Sequence, residues 1–195
     1  MGLSTAWGTG GDAASRRRRY ADAVRSAVGG ELGAFGEAVV MEDIPEEFFF
    51  AAASSSGLHH PAFDLGDGGL VRHSLVVASV AAELVRPYGI PGSAGTVVLA
   101  SLLHDGWKGV ASPGGGWQPR TQDNHGTVGG LSVRAAAARL GFGGADLVAE
   151  CVRTHPSAWY DIGIPIHRLP TPEQQVVASA DYLASRKRLQ GWSLD

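Results

Sequence analysis

His73, His104, Asp105, His125, His155 and Asp181 are the residues of this 195-residue chain whose types could do chemistry together, and Lys108 follows the His104-Asp105 doublet by three positions. Imidazole and carboxylate in combination suit divalent Mn, Fe, Co, Ni or Zn. Two such ions bridged by a carboxylate make a device for attacking a phosphoester, and six ligand groups are enough for two ions. A histidine taken singly is more often a hydrogen-bonded structural residue than a ligand. Placement changes that reading: His104-Asp105 ends an apolar helix, His73 lies near the start of another, His155 ends a third and Asp181 sits in a fourth, and a buried carboxylate such as Asp181 is costly unless it is paired or metal-bound. The set predicts a metal-dependent hydrolase holding two divalent transition-metal ions.

Such groups meet only if the elements that carry them pack together. Residues 70–85, LVRHSLVVASVAAELV, are apolar at helical spacing and stop before Pro87, which predicts a core helix with His73 near its start. TVVLASLLHDGWK fits a buried strand or a buried helix by periodicity, and its length and alanine-leucine centre favour helix, with the doublet in its last turn before Gly106. LSVRAAAARLG and ADLVAECVRTH are two further helices, ended by Gly141 and Pro156, and the last runs from Pro172 through Lys187 with Asp181 inside it and Val177, Ala180 and Ala184 as its apolar stripe. Strand alternation is weak throughout, so an all-α fold is expected.

Ahead of these, Arg16 to Arg19 open a helix with Tyr20, Val24 and Val28 on one face, and the arginine run reads as a solvated face. Phe48, Phe49 and Phe50 are too consecutive for one amphipathic face and are expected to enter the core from both sides of a short helix. Residues 1–14 lack hydrophobic periodicity and are expected to be disordered, which leaves 15–195 as one domain, a size at which roughly 70% of the unfolded surface is buried. The glycine clusters at 8–11, 66–69, 114–116 and 143–144 read as loops.

Composition narrows the partners. A net charge of −3 and a pI near 6.1 argue against a protein that grips long nucleic acid electrostatically, while a small anionic substrate at a local positive site fits. No apolar run approaches the roughly 20 residues needed to cross a bilayer. The opening MGLSTAWGTGGDAASRRRR lacks the apolar core of a secretory signal. The one cysteine, Cys151, lies in an apolar helix and fits a reducing cytoplasm. Oligomeric state is not legible.

The order His, His-Asp, Asp resembles the HD superfamily of metal-dependent phosphohydrolases, and LLHDGWK is similar to its HDxxK signature. That resemblance implies a helical bundle in which His73, His104, Asp105 and Asp181 bind the first ion. His125 and His155 match in order the two extra histidines of the two-metal branch, where the doublet's aspartate bridges. The approach segment FFFAAASSSGLHHPAFDLGDGGLVRHS is similar to that of YhaM-type 3′-to-5′ exoribonucleases and of small stand-alone phage and bacterial HD proteins. The departures are that no nucleic-acid-binding barrel precedes it and that Gly106-Trp107 follows the doublet where an aliphatic residue and glycine are usual. The expected substrate is therefore a small phosphorylated molecule, a nucleotide or short oligonucleotide.

Lys108 reads as a phosphate contact, since an ammonium near two ions neutralises charge developing on a phosphoryl group. Arg186 resembles in placement an arginine near the last aspartate of some HD nucleotide hydrolases, and reads as either a phosphate contact or a surface ion pair. Trp107, Trp117, Trp159 and Tyr160 are candidates for nucleobase stacking or for packing. His59 and His60 precede Pro61 in a loop and either face the site or serve structure; His167, in IPIHRLP, reads as structural or exposed. Two rival functions share the ligand list: a mixed-valent di-iron HD oxygenase of the PhnZ or inositol-oxygenase type, which cleaves a C–C or C–P bond with dioxygen, and a regulatory module on a degenerate site. The lysine of the signature favours hydrolysis, and the intact set of six disfavours degeneration.

Overall fold

In a computed structural model, residues 9–54, 60–109, 124–159 and 163–186 are described. Residues 1–8, His59, the 114–116 glycines, Trp117 and Tyr160 lie outside the described residues, as does the side chain of Trp159, while the last helix ends at Ala184 with Ser185 as its C-cap, short of the expected Lys187. The fold is all-α. Seven α-helices occur among the described residues: α1 (Ala13–Val28), α2 (Gly30–Glu42), α3 (Gly69–Leu84), α4 (Ala94–Leu103), α5 (His125–Leu140), α6 (Asp146–Thr154) and α7 (Pro172–Ala184). Among the same residues no strand occurs.

Helix α4 is the hub. Val97, Leu99, Ala100, Leu102 and Leu103 are buried on all sides of it, because α1, α2, α3, α6 and α7 all pack against it. A helix covered all round shows no apolar stripe, which is why periodicity alone left strand and helix open.

Helix α1 starts at Ala13, inside the stretch expected to lack structure, because the Asp12 side chain accepts from the Ser15 amide at 2.8 Å and caps it. Tyr20 and Val24 are buried as expected, and the Tyr20 hydroxyl donates to the Leu102 carbonyl at 2.6 Å, tying α1 to α4.

The arginine run is not one solvated face. Arg16 is buried, donates to the Phe49 carbonyl at 3.0 Å and makes a bidentate pair with Asp67 at 2.7 and 2.8 Å. Arg17 donates to the carbonyls of Val40 and Ile44 at 2.7 and 2.8 Å. Both guanidiniums cap backbone that would otherwise be buried unbonded, so charge here serves packing. Phe48 and Phe49 enter the core from the 3-10 turn Glu46–Phe49, whereas Phe50 stays partly exposed beneath Arg16, 4.3 Å from ring centroid to guanidinium.

Helix α5 begins at His125, well before the expected LSVRAAAARLG, and its first turns hold Gly126, Gly129 and Gly130. These face α6. A Cβ on Gly126 would lie 2.7 Å from the Arg153 carbonyl oxygen, and one on Gly130 2.8 Å from that of Ala149. The absence of side chains lets the two helices approach backbone to backbone at the end that carries His125. Helix α7 starts with a capping box between Thr171 and Gln174 and with Pro172 in its first turn, and Gln174 also donates to Thr154 at 3.2 Å, fixing α7 against the end of α6.

Candidate metal centre

Five helices bring the six groups to one buried place. His73 lies in the second turn of α3, His104 and Asp105 directly after α4, His125 at the start of α5, His155 directly after α6 and Asp181 within α7. All six are buried, with His73 at 0% exposure and His104, Asp105 and His155 each at 1%.

Two of the imidazoles are aimed in the same way. A helix end leaves carbonyls without amide partners, and His104 and His155 each use one: His104 Nδ1 donates to the Ser101 carbonyl at 2.7 Å and His155 Nδ1 to the Val152 carbonyl at 2.7 Å. A proton held on Nδ1 leaves the lone pair on Nε2, pointing inward.

Asp105 stands between two groups. Its Oδ2 lies 3.4 Å from His104 Nε2 and 3.9 Å from His73 Nε2, and Asp181 Oδ1 is 3.0 Å from His73 Nε2 and 3.7 Å from His104 Nε2. Its Oδ1 lies 3.5 Å from both His125 Nε2 and His155 Nε2, which are 3.1 Å apart. Each oxygen thus faces its own set of nitrogens. Lys108, in the turn after the doublet and largely covered, places Nζ 2.7 Å from Oδ2.

Charge is concentrated accordingly. Burial alone would raise the Asp105 carboxyl, but Lys108 and then His104 outweigh it and hold it well below the ordinary carboxylate value. Asp181 is likewise lowered against its burial, chiefly by its hydrogen bond with His73 and by the neighbouring His104. Burial would lower His73, yet Asp181 and Asp64 raise it to about 9. An ion taking the Nε2 lone pair must displace that proton.

These residues fit divalent ions. The ligand atoms of His73, His104 and Asp105, and those of Asp105, His125 and His155, lie within 4.8 Å of one another, as do those of His104, His155 and Asp181. His104 Nε2 and Asp105 Oδ1 are buried without a hydrogen-bond partner among the described residues. Native proteins rarely leave such atoms unpaired, and an ion between them would satisfy both.

Residues 70–186, more than half of the chain, match the HD domain. The chain belongs to the HD family. It is therefore a metal-dependent hydrolase of that superfamily, and its buried histidine-aspartate clusters are metal-binding in character. No curated protein and no solved structure gives a match to the chain.

The remaining expectations divide. Trp107 of this HD domain is buried against the glycine face of α5, 3.2 Å from where a Gly129 Cβ would sit, so it packs and does not offer a ring to a base. Arg186 stacks its guanidinium 4.0 Å from the centroid of Tyr182. His167 is exposed and Cys151 is buried in α6, where burial pushes the thiol up.

His60 and, unforeseen, Asp64 join the site. Asp64 is fully buried, with Oδ2 3.5 Å from His73 Nδ1 and 3.7 Å from His60 Nδ1. Burial would raise its carboxyl, and the two imidazoles outweigh this and lower it. Asp64 ends the short 3-10 turn Ala62–Asp64, just before a glycine-rich stretch without periodicity; the one available signal was its spacing of four from His60, just ahead of the first ligand. No described helix is long and apolar enough to cross a membrane.

Proposed function

We propose that this HD protein hydrolyses a phosphomonoester or phosphodiester bond in a nucleotide or short oligonucleotide at a two-ion centre, in the cytoplasm. The observation that carries the reading is Asp105: one oxygen faces His73 and His104 while the other faces His125 and His155. A carboxylate so placed is suited to bridge two ions. His73, His104, Asp105 and Asp181 would hold the first, and Asp105, His125 and His155 the second. When bound, such ions polarise a phosphoryl group and lower the pKa of coordinated water from 15.7 towards ~7.

The chain's own residues supply orientation and charge. Nδ1 protons engaged by Ser101 and Val152 keep His104 and His155 from turning away. Lys108 brings a fixed positive charge to the Oδ2 edge of Asp105, where it would neutralise a non-bridging phosphoryl oxygen as charge develops. Arg186, stacked over the Tyr182 ring, would offer its in-plane N–H groups to a second phosphate oxygen. The net charge of −3 supports a small substrate over a long nucleic acid, whose binding is driven by many phosphate contacts.

The test is turnover of a panel of nucleotides, dinucleotides and long RNA with Mn or Co, in air and without oxygen. Release of phosphate or nucleoside from short substrates at an oxygen-independent rate is expected. Oxygen consumption with two irons bound would replace the hydrolase by the oxygenase; processive degradation of long RNA with dinucleotides inert would restore the exonuclease reading.

A further inference from the structure

His104 and His155 are aimed by helix-end carbonyls, but His73 has no such option. It lies inside α3, where backbone carbonyls are engaged by the helix itself. Its Nδ1 has no hydrogen-bond partner among the described residues, and neither has either oxygen of Asp64. The two groups face each other at 3.5 Å, both at 0% exposure. A carboxylate buried this completely needs a partner, and His73 Nδ1 is nearer to it than His60 Nδ1 at 3.7 Å.

The loop before α3 is built to hold Asp64 there. Arg72, one residue before His73, donates to the carbonyls of Phe63 at 2.6 Å, Leu65 at 3.1 Å and Asp67 at 2.7 Å. The Asp64 carbonyl accepts from the Ala53 amide at 3.0 Å. Only glycine fits at position 69, where a Cβ would lie 2.0 Å from the Asp64 carbonyl oxygen. The His60 ring then packs edge-on against His73 with centroids 4.8 Å apart, closing the remaining side.

We propose that Asp64 is the positioning residue of His73: its carboxylate accepts the Nδ1 proton and so fixes the tautomer and ring angle that present Nε2 to the first ion. It does with a side chain what the Ser101 and Val152 carbonyls do for His104 and His155. The proposal rests on the reading of His73 and His104 as ligands. His60, Asp64 and His73 also lie close enough to hold an ion of their own. That use would require both His73 nitrogens to be unprotonated, whereas orientation needs only the usual single proton on Nδ1.

Metal-free protein titrated with Co, followed by absorbance and calorimetry, separates these possibilities. Asp64→Leu should weaken uptake by ~10- to 100-fold while far-ultraviolet circular dichroism stays that of the wild type. Asp64→Asn, whose carbonyl oxygen accepts the same bond, should restore most of the affinity. His104→Ala serves as the control for the centre itself. If it loses metal while Asp64→Leu binds as the wild type, only the positioning role is overturned; if neither variant changes uptake, the metal reading falls with it. A third equivalent of metal, lost in Asp64→Leu, would also overturn positioning. Should Asp64→Leu fail to fold, nitrogen-proton correlation spectra of the Zn-loaded wild type decide. They should show His73 protonated at Nδ1, and an unprotonated Nδ1 would sink the proposal.

Discussion

At the scale of residues, the division of labour between Asp105 and Lys108 is open to direct measurement. Asp105→Ala removes the carboxylate that faces both nitrogen sets, so turnover should vanish and metal content, measured by atomic emission, should drop. Lys108→Ala should leave metal content intact, because Lys108 pairs with Asp105 without being a ligand, and slow turnover by ~10²-fold or more through loss of a charge donor to the transition state. Full activity in Lys108→Ala would reassign the phosphate side of the pocket. Five of the six ligand candidates were legible because imidazoles and carboxylates stand out in or beside apolar segments, His125 was legible only through its place in the family's order, and the structure brings all six together. Asp64 was not legible, because its role is set by the Arg72 clip and the Gly69 contact, which pair residues with no local pattern between them.

Between helices, the feature that matters most is the bare face of α5. A side chain on Gly130 would meet the Ala149 carbonyl at 2.8 Å and the Arg153 Cβ at 2.9 Å. Gly130→Ala must therefore push α5 from α6, at a cost of about 1–3 kcal/mol, and carry His125 away from His155. Titration with Mn should show one site weakened and one retained; two equal sites of wild-type affinity would show that the close approach is not needed. The sequence could not place the start of α5, because HGTVGG has the composition of a loop and becomes helical only where α6 covers it. The helices α3, α4 and α6 were legible because each combines an apolar stretch with a stop signal, and α7 through Pro172 and its apolar stripe, although without a stop signal its end was placed beyond Ala184. Arg16 and Arg17 of α1 were misread for the opposite reason: the carbonyls they bond lie on α2 and on the 3-10 turn, distant along the chain.

For the whole molecule, metal and fold should be linked. Stripping the ions would remove the ligand bonds that tie α3, α4, α5, α6 and α7 together at one buried place, which favours local opening. Chelator should lower the melting temperature and added Mn should restore it, whereas an identical melting curve in protein confirmed free of metal would argue against an internal centre. His73 and Asp181 are 108 residues apart in the chain, while Asp105, His125 and His155 all fall between the end of α4 and the residue that follows α6. A chain emerging from the ribosome appears amino end first. The second ligand group is therefore complete while Asp181 is still unmade, and the first group closes only when α7 docks. On the two-ion reading, ion loading during synthesis would have a built-in order, with the inner group able to fill first and the long-range clasp of α3 to α7 made last.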